Sequence, residues 1–96
     1  MKKGEKITLF TTTDVDKETG LILAVYFRVR TGEAAETREF AGGSAFADYD
    51  SKGRLLGVEI LAPCEVTVLD KISKEEPKPV KTFLRGSMPV QMLASC

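Results

Sequence analysis

The sequence contains no histidine and no tryptophan, and only two of its 96 residues are cysteines. Histidine is the commonest general base and metal ligand, so its absence argues against both acid–base catalysis and an imidazole-bound metal. Cys64 and Cys96 lack Cys-x-x-Cys spacing and therefore predict neither a disulfide framework nor a zinc site. Cys64 follows Pro63 without a histidine to activate it, which indicates a buried structural thiol. We therefore expect a protein that is not an enzyme and uses no metal or cofactor.

An excess of charge and a long apolar segment are also missing. Fourteen Lys and Arg residues balance fourteen Asp and Glu residues, so no overall field attracts nucleic acid or an anionic membrane. No segment approaches the roughly 20 apolar residues of a membrane-spanning helix, and the basic start is followed by no apolar signal-peptide core. These absences favour a cytoplasmic protein without membrane contact and make nucleic acid an unexpected partner.

Short alternating segments separated by turns fill the first two thirds of the chain. The clearest is 21–30, where apolar residues recur at every second position. Segments 7–13, 37–40, 44–49 and 54–61 follow the same pattern, and Asp50-Ser51-Lys52-Gly53 is a turn signal between the last two. Residues 1–62 are therefore predicted to form an antiparallel β-meander of four to five strands.

The pattern changes after Pro63. Val66, Leu69 and Ile72 are three residues apart, which predicts a helix over 65–75, although 66–68 also fits a strand. A second short helix can start near Pro79, because proline is tolerated in the first turn. Residues 63–96 thus form a helical extension, and the whole chain is predicted to be a single α+β domain.

Residues 48–59 nearly match the spacing of an EF-hand calcium loop, with Asp48, Asp50, Gly53 and Glu59 in ligand or turn positions. The match fails at Lys52, which places a cation where an oxygen ligand is needed. It fails again in the flanks, which alternate like strands rather than helices. We therefore interpret the aspartates as turn residues that bond to their own backbone and predict no metal site.

Glu59 is a charged residue inside an otherwise apolar strand. Gly57, two residues earlier on the same predicted face, leaves room for a close approach. A carboxylate there is costly unless it is paired, and Arg28, Arg30 or a helix start near residue 63 are the candidate partners. Glu59 is then either half of a pair that fixes strand register or a ligand-facing carboxylate. The first interpretation predicts that Glu59→Gln lowers the melting temperature.

Apolar residues on both predicted faces of the sheet suggest a homodimer, since each face needs a cover. Leu55 and Leu61 share the predicted face of Glu59, and the tail 88–93 contributes Met88 and Met92. We expect these four residues to form the interface. The alternative is that the tail covers this face within one chain.

A basic stripe occupies the C-terminal segment at spacings of three and four: Lys71, Lys74, Lys78, Lys81 and Arg85. With Arg28 and Arg30, it could bind a small anionic ligand or nucleic acid. Nearby glutamates dilute the charge, prolines bend the segment and no aromatic residues interleave for base stacking. The other interpretation is a solvated helix face.

Residues 47–61, A-D-Y-D-S-K-G-R-L-L-G-V-E-I-L, together with Tyr26-Phe27-Arg28, resemble the small prokaryotic family called domain of unknown function 2283. The likeness covers about residues 21–61 and leaves the extension from Pro63 unmatched. It implies a small β-sheet domain without known activity, and some relatives look like partners of toxin-like proteins in two-gene modules. The sequence thus favours a non-catalytic interaction module that associates with itself or with a partner protein. The alternative is a protein that binds an anionic ligand.

Overall fold

The computed structural model describes residues 6–92, which contain five β-strands and two α-helices. The strands are β1 (Phe10–Val15), β2 (Ile22–Arg28), β3 (Glu36–Phe40), β4 (Ala45–Tyr49) and β5 (Leu55–Ile60), and the helices are α1 (Val66–Ile72) and α2 (Lys78–Gly86). Short 3-10 turns occupy Ala41–Gly43 and Val90–Met92. The predicted α+β class, with an antiparallel sheet followed by two short helices, is confirmed.

The strand order is β1-β2-β5-β4-β3, with every neighbouring pair antiparallel. Three of the connections are hairpins between consecutive strands, as in a meander. The exception is β2, which pairs with β5 instead of β3. This order places the most buried strand, β5, in the centre of the sheet and leaves the exposed strands β1 and β3 at the edges. Burial of apolar side chains on the central strand accounts for this arrangement.

The two helices cover one face of the sheet. Pro77 precedes α2 and Pro79 lies in its first turn, where the missing N–H of proline removes no helical hydrogen bond. Val80 and Leu84, four residues apart, are buried on the sheet-facing side. The ring of Phe83 contacts the ring of Phe27 edge-on, with centroids 5.9 Å apart. Together with Val25, Val58 and Ile60 of the sheet, these residues belong to the core.

A bulge in β5 reverses the predicted orientation of its first residue. Asp48 pairs with Gly57, but the next residue of β4, Tyr49, pairs with Leu55, so Leu56 is an extra residue. Leu55 therefore turns into the core beneath the helices. The prediction that Leu55 shares the face of Glu59 is wrong, because strict alternation along β5 ends at this bulge.

The extra residue also connects β5 to the end of β2. Leu56 O accepts hydrogen bonds from two consecutive N–H groups, those of Val29 at 2.8 Å and Arg30 at 3.1 Å. The Leu56 side chain is buried, and its Cδ2 lies 3.0 Å from the position that a Cβ at Gly32 would occupy. The loop after β2 thus packs closely on Leu56, and the positive φ of 152° at position 32 favours glycine there.

The C-terminal segment docks on the core of its own chain. Met88 and Met92 are buried, and Cys64 N–H donates to Met92 O at 3.0 Å. Leu55, Met88 and Met92 are therefore unavailable to a partner, and the predicted interface is wrong for these three residues. Leu61 alone of the predicted set is exposed. Leu93 and Cys96 lie outside the described residues.

Gly57 marks the closest approach between β5 and β2. A Cβ at this position would overlap the Tyr26 hydroxyl and lie 2.8 Å from the backbone oxygen of Phe27. The Tyr26 ring thus occupies the space that a side chain at position 57 would fill. The prediction that Gly57 permits a close approach is confirmed.

We expect Gly57→Ala to lower the free energy of unfolding by about 1–3 kcal/mol, because the added methyl group must displace Tyr26 and strain the Phe27 backbone. Urea denaturation measures the change. Gly86→Ala is the matched control, since nothing lies within 4 Å of a Cβ there and alanine favours the helix. Equal stability of the two variants would contradict the close packing of Tyr26 against Gly57.

Candidate functional site

The sheet face opposite the helices carries a row of polar side chains. Because Phe27 faces α2, alternation turns Tyr26 and Arg28 to the other side. Tyr26 pairs with Glu59 and Arg28 with Gly57, so side chains from β2 and β5 are neighbours on this face. We call this surface the open face.

Asp48 connects three strands on the open face. Its Oδ1 accepts a hydrogen bond from the Thr37 hydroxyl of β3 at 2.7 Å, and its Oδ2 accepts one from the Tyr26 hydroxyl at 3.3 Å. The Tyr26 hydroxyl reaches Asp48 across Gly57, which lies between them in β5. Partial burial raises the pKa of Tyr26, and the Asp48 carboxylate adds to the increase. The cluster holds β2, β4 and β3 in register.

Glu59 lies half-buried on the open face, but it is not the pairing residue that the sequence suggests. Within residues 6–92 its carboxylate makes no hydrogen bond or ion pair. Arg28, a predicted partner, stacks 5.4 Å from the Tyr26 ring centroid and donates to the backbone oxygen of Arg30 at 3.1 Å. The predicted register-fixing pair of Glu59 with Arg28 or Arg30 is therefore wrong.

The buried ion pair of this fold joins Arg30 to Glu76 instead. Arg30 Nη2 lies 2.8 Å from Glu76 Oε1, and the two side chains are only 9% and 12% exposed. Arg30 Nη1 also donates to Leu55 O at 2.8 Å. Sequence reasoning missed this pair because β2 ends at Arg28, so that Arg30 does not follow the alternation of the strand, and because Glu76 lies in the linker between the helices.

Asp50 organises the turn between β4 and β5. Its Oδ1 accepts from the N–H groups of Lys52 and Arg54, both at 2.9 Å, and its Oδ2 contacts Arg54 Nε at 2.9 Å. The backbone bond from Arg54 is the main reason that the pKa of Asp50 is lowered. Asp50 is thus a turn residue as predicted, whereas Asp48 bonds across strands. Among the described residues, no three acidic, cysteine or histidine side chains converge to hold a metal ion.

Cys64 is buried, as the sequence predicts, and burial raises the pKa of its thiol. A thiol with a raised pKa remains protonated near neutral pH and is a poor nucleophile. This environment fits a structural role for Cys64.

The basic stripe divides when it is placed on the structure. Lys74, Lys78, Lys81 and Arg85 line a cleft between α1 and α2, whereas Lys71 is exposed outside it. Arg28 lies on the opposite side of the sheet, and Arg30 is engaged with Glu76. The predicted joint site of both arginines and the stripe is therefore not assembled.

The edge strand β1 is the most exposed regular element of the described sheet. All six of its residues, F-T-T-T-D-V, are exposed, and none is lysine, arginine or proline. Phe10 and Val15 are about half-exposed, and Leu21 and Leu23, which precede or begin the neighbouring strand, are 60% and 55% exposed. The other edge, β3, carries charged residues, including an ion pair of Arg38 with Glu36 at 2.8 Å.

The fold defines the chain as an α+β domain whose sheet has one face covered by helices and one open face. No protein-family model, curated protein or solved structure matches it. The resemblance of residues 21–61 to domain of unknown function 2283 therefore stays a prediction, as does the toxin-like partner that it suggests. Within residues 6–92, no helix is long and apolar enough to cross a lipid bilayer.

We expect Glu76→Gln to lower the free energy of unfolding by about 2–4 kcal/mol, because it leaves the buried Arg30 charge without its carboxylate. Glu59→Gln, the same chemical change on the open face, should alter stability by about 0.5 kcal/mol or less. Urea denaturation of both variants at neutral pH tests the assignment. A larger loss for Glu59→Gln would restore the pairing role predicted from sequence.

Proposed function

We propose that this protein is a non-catalytic self-association module that pairs with a second copy through the edge strand β1. The observation that carries the proposal is the exposure of all six residues of β1, an edge strand without lysine, arginine or proline whose one charged residue, Asp14, lies at a register shift near its end. An exposed edge presents unpaired N–H and C=O groups, and proteins normally block such edges with lysine, proline or a covering segment.

The amino-acid sequence of β1 favours pairing with the β1 strand of a second copy of the protein. Thr11, Thr12 and Thr13 form an uncharged centre. An antiparallel twofold pair centred on Thr12 sets threonine opposite threonine at all three positions, and Thr–Thr cross-strand pairs are favourable. Asp14 then lies opposite Phe10 of the other copy, so the two carboxylates are not placed directly opposite each other. The interface is thus complementary to itself, as twofold symmetry requires.

The geometry of β1 also gives the dimer a definite form. Because β1 is the outer strand of the order β1-β2-β5-β4-β3, pairing would join two five-stranded sheets into one continuous sheet. Phe10, Val15, Leu21 and Leu23 lie on the hairpin beside the new contact and would lose exposed apolar surface there. The covered core face and the polar open face of each copy would remain as they are.

A non-catalytic role is supported by the composition and by the state of the reactive groups. The chain has no histidine, its buried Cys64 has a raised pKa, and Asp48 and Asp50 are engaged in structural hydrogen bonds. These residues stabilise the fold and are not arranged as an acid–base pair around a cleft.

We expect Thr12→Lys to weaken the dimer at least about tenfold, because two lysines would lie opposite each other at the centre of the pair. Sedimentation velocity over a range of concentrations measures the dissociation constant, and the dimer should persist at high salt, since its contacts are not ionic. Circular dichroism confirms that the variant is folded.

Glu39→Lys, an added lysine at the exposed edge β3, is the matched control and should leave the dimer intact. A wild-type protein that stays monomeric at its highest soluble concentration would overturn the proposal. So would a dimer that is broken by Glu39→Lys and unaffected by Thr12→Lys, because its interface would then lie at the other edge.

A further inference from the structure

The cleft between α1 and α2 gathers cationic side chains from both of its walls. Lys74, just beyond the end of α1, and Lys78, Lys81 and Arg85 of α2 line an open space of about 450 Å³, and all four are exposed to solvent. The remaining lining residues are Asp70, Ser73 and Thr82. Ser73 is committed to the fold, since its buried hydroxyl donates to Leu69 O at 2.8 Å.

The charge of this cleft is only partly neutralised by the protein. Asp70 is its one carboxylate and lies 3.5 Å from Arg85 Nε in an exposed ion pair. Within residues 6–92, no ion pair engages Lys74, Lys78 or Lys81. The cleft therefore holds an excess of positive charge in a chain whose total charge is zero.

Packing does not require this concentration of cations. The core contacts of α2 are made by Val80 and Leu84, whereas Lys78, Lys81 and Arg85 follow each other at intervals of three and four along another face. Like charges at these intervals repel one another and destabilise an isolated helix. The first turn of α2 also contains no acidic residue that would offset the positive end of the helix dipole. An anion in the cleft would relieve each of these unfavourable terms.

We propose that the cleft binds a small ligand with two or more adjacent phosphate groups, held by Lys74, Lys78, Lys81 and Arg85. Lys78 and Arg85 are separated by roughly 10 Å along the helix at about 1.5 Å per residue, which is too far for a single phosphate to contact both backbone positions. A chain of phosphates can follow the row, and Thr82 offers a hydroxyl donor beside it. No aromatic side chain lines the cleft, so recognition is directed at phosphate and not at a nucleobase.

Titration with inorganic tripolyphosphate at low ionic strength tests the site, with two-dimensional NMR of the backbone amides as the readout. Saturable shifts concentrated between residues 74 and 85 are expected, and the affinity should fall steeply as salt is added. The double variant Lys78→Gln, Lys81→Gln should weaken binding by about tenfold or more, because two charge-assisted contacts are lost. ATP is the second probe: binding by tripolyphosphate alone indicates free polyphosphate, and equal or tighter binding of ATP indicates a nucleotide source.

Lys71→Gln is the matched control, since Lys71 has the same charge on the neighbouring helix but does not line the cleft. Its affinity for tripolyphosphate should be unchanged, and the melting temperatures of all variants should confirm folding. Equal weakening by Lys71→Gln would show diffuse attraction and overturn the site, as would an absence of saturable binding at millimolar tripolyphosphate. The result is independent of self-association, because binding by the Thr12→Lys variant should match that of the wild type.

Discussion

The buried guanidinium of Arg30 lies where the sheet and the helices meet. It donates to Leu55 O at the start of the central strand and pairs with Glu76 in the linker between α1 and α2. A charge that is only 9% exposed is tolerable only with such partners, so the guanidinium constrains both the sheet and the linker. The position of α2 over Phe27, and with it the cleft between the helices, depends on where this linker is held.

The bulge at Leu56 determines which side chains of β5 lie in the core and which lie on the open face. Because Leu56 is an extra residue, Leu55 turns into the core. The backbone oxygen of Leu55 accepts the hydrogen bond from Arg30 Nη1. The face left open contains the hydrogen-bonded cluster of Tyr26, Asp48 and Thr37, and Phe46 lies half-buried on it opposite Glu59. The proposed self-association rests on a different surface, the exposed β1 edge. The anion-binding cleft lies between the helices, so the two proposed activities use different parts of the domain.

Most of the secondary structure could be predicted because it follows from local patterns. Period-two alternation locates the strands, the Asp50-Ser51-Lys52-Gly53 turn places the hairpin of β4 and β5, and Pro79 correctly marks the start of a second helix. The site residues were harder to predict. Glu59 lies on the open face and has no partner among the described residues. The carboxylate that pairs with Arg30 belongs to Glu76, which lies in a segment without a regular pattern. Met88 and Met92 are buried in the core of their own chain, because the C-terminal segment folds back onto that core.

Composition and local pattern establish the class of this protein, which is a neutral domain without histidine whose strands are followed by helices. These properties depend on residues close together in the chain, where alternation and turn preference act directly. Three features become visible only in the folded chain: β5 lies between β2 and β4, Arg30 pairs with Glu76, and four of the five stripe cations share one cleft. Each of these depends on contacts between distant segments, and a single extra residue at Leu56 changes which side chains can meet.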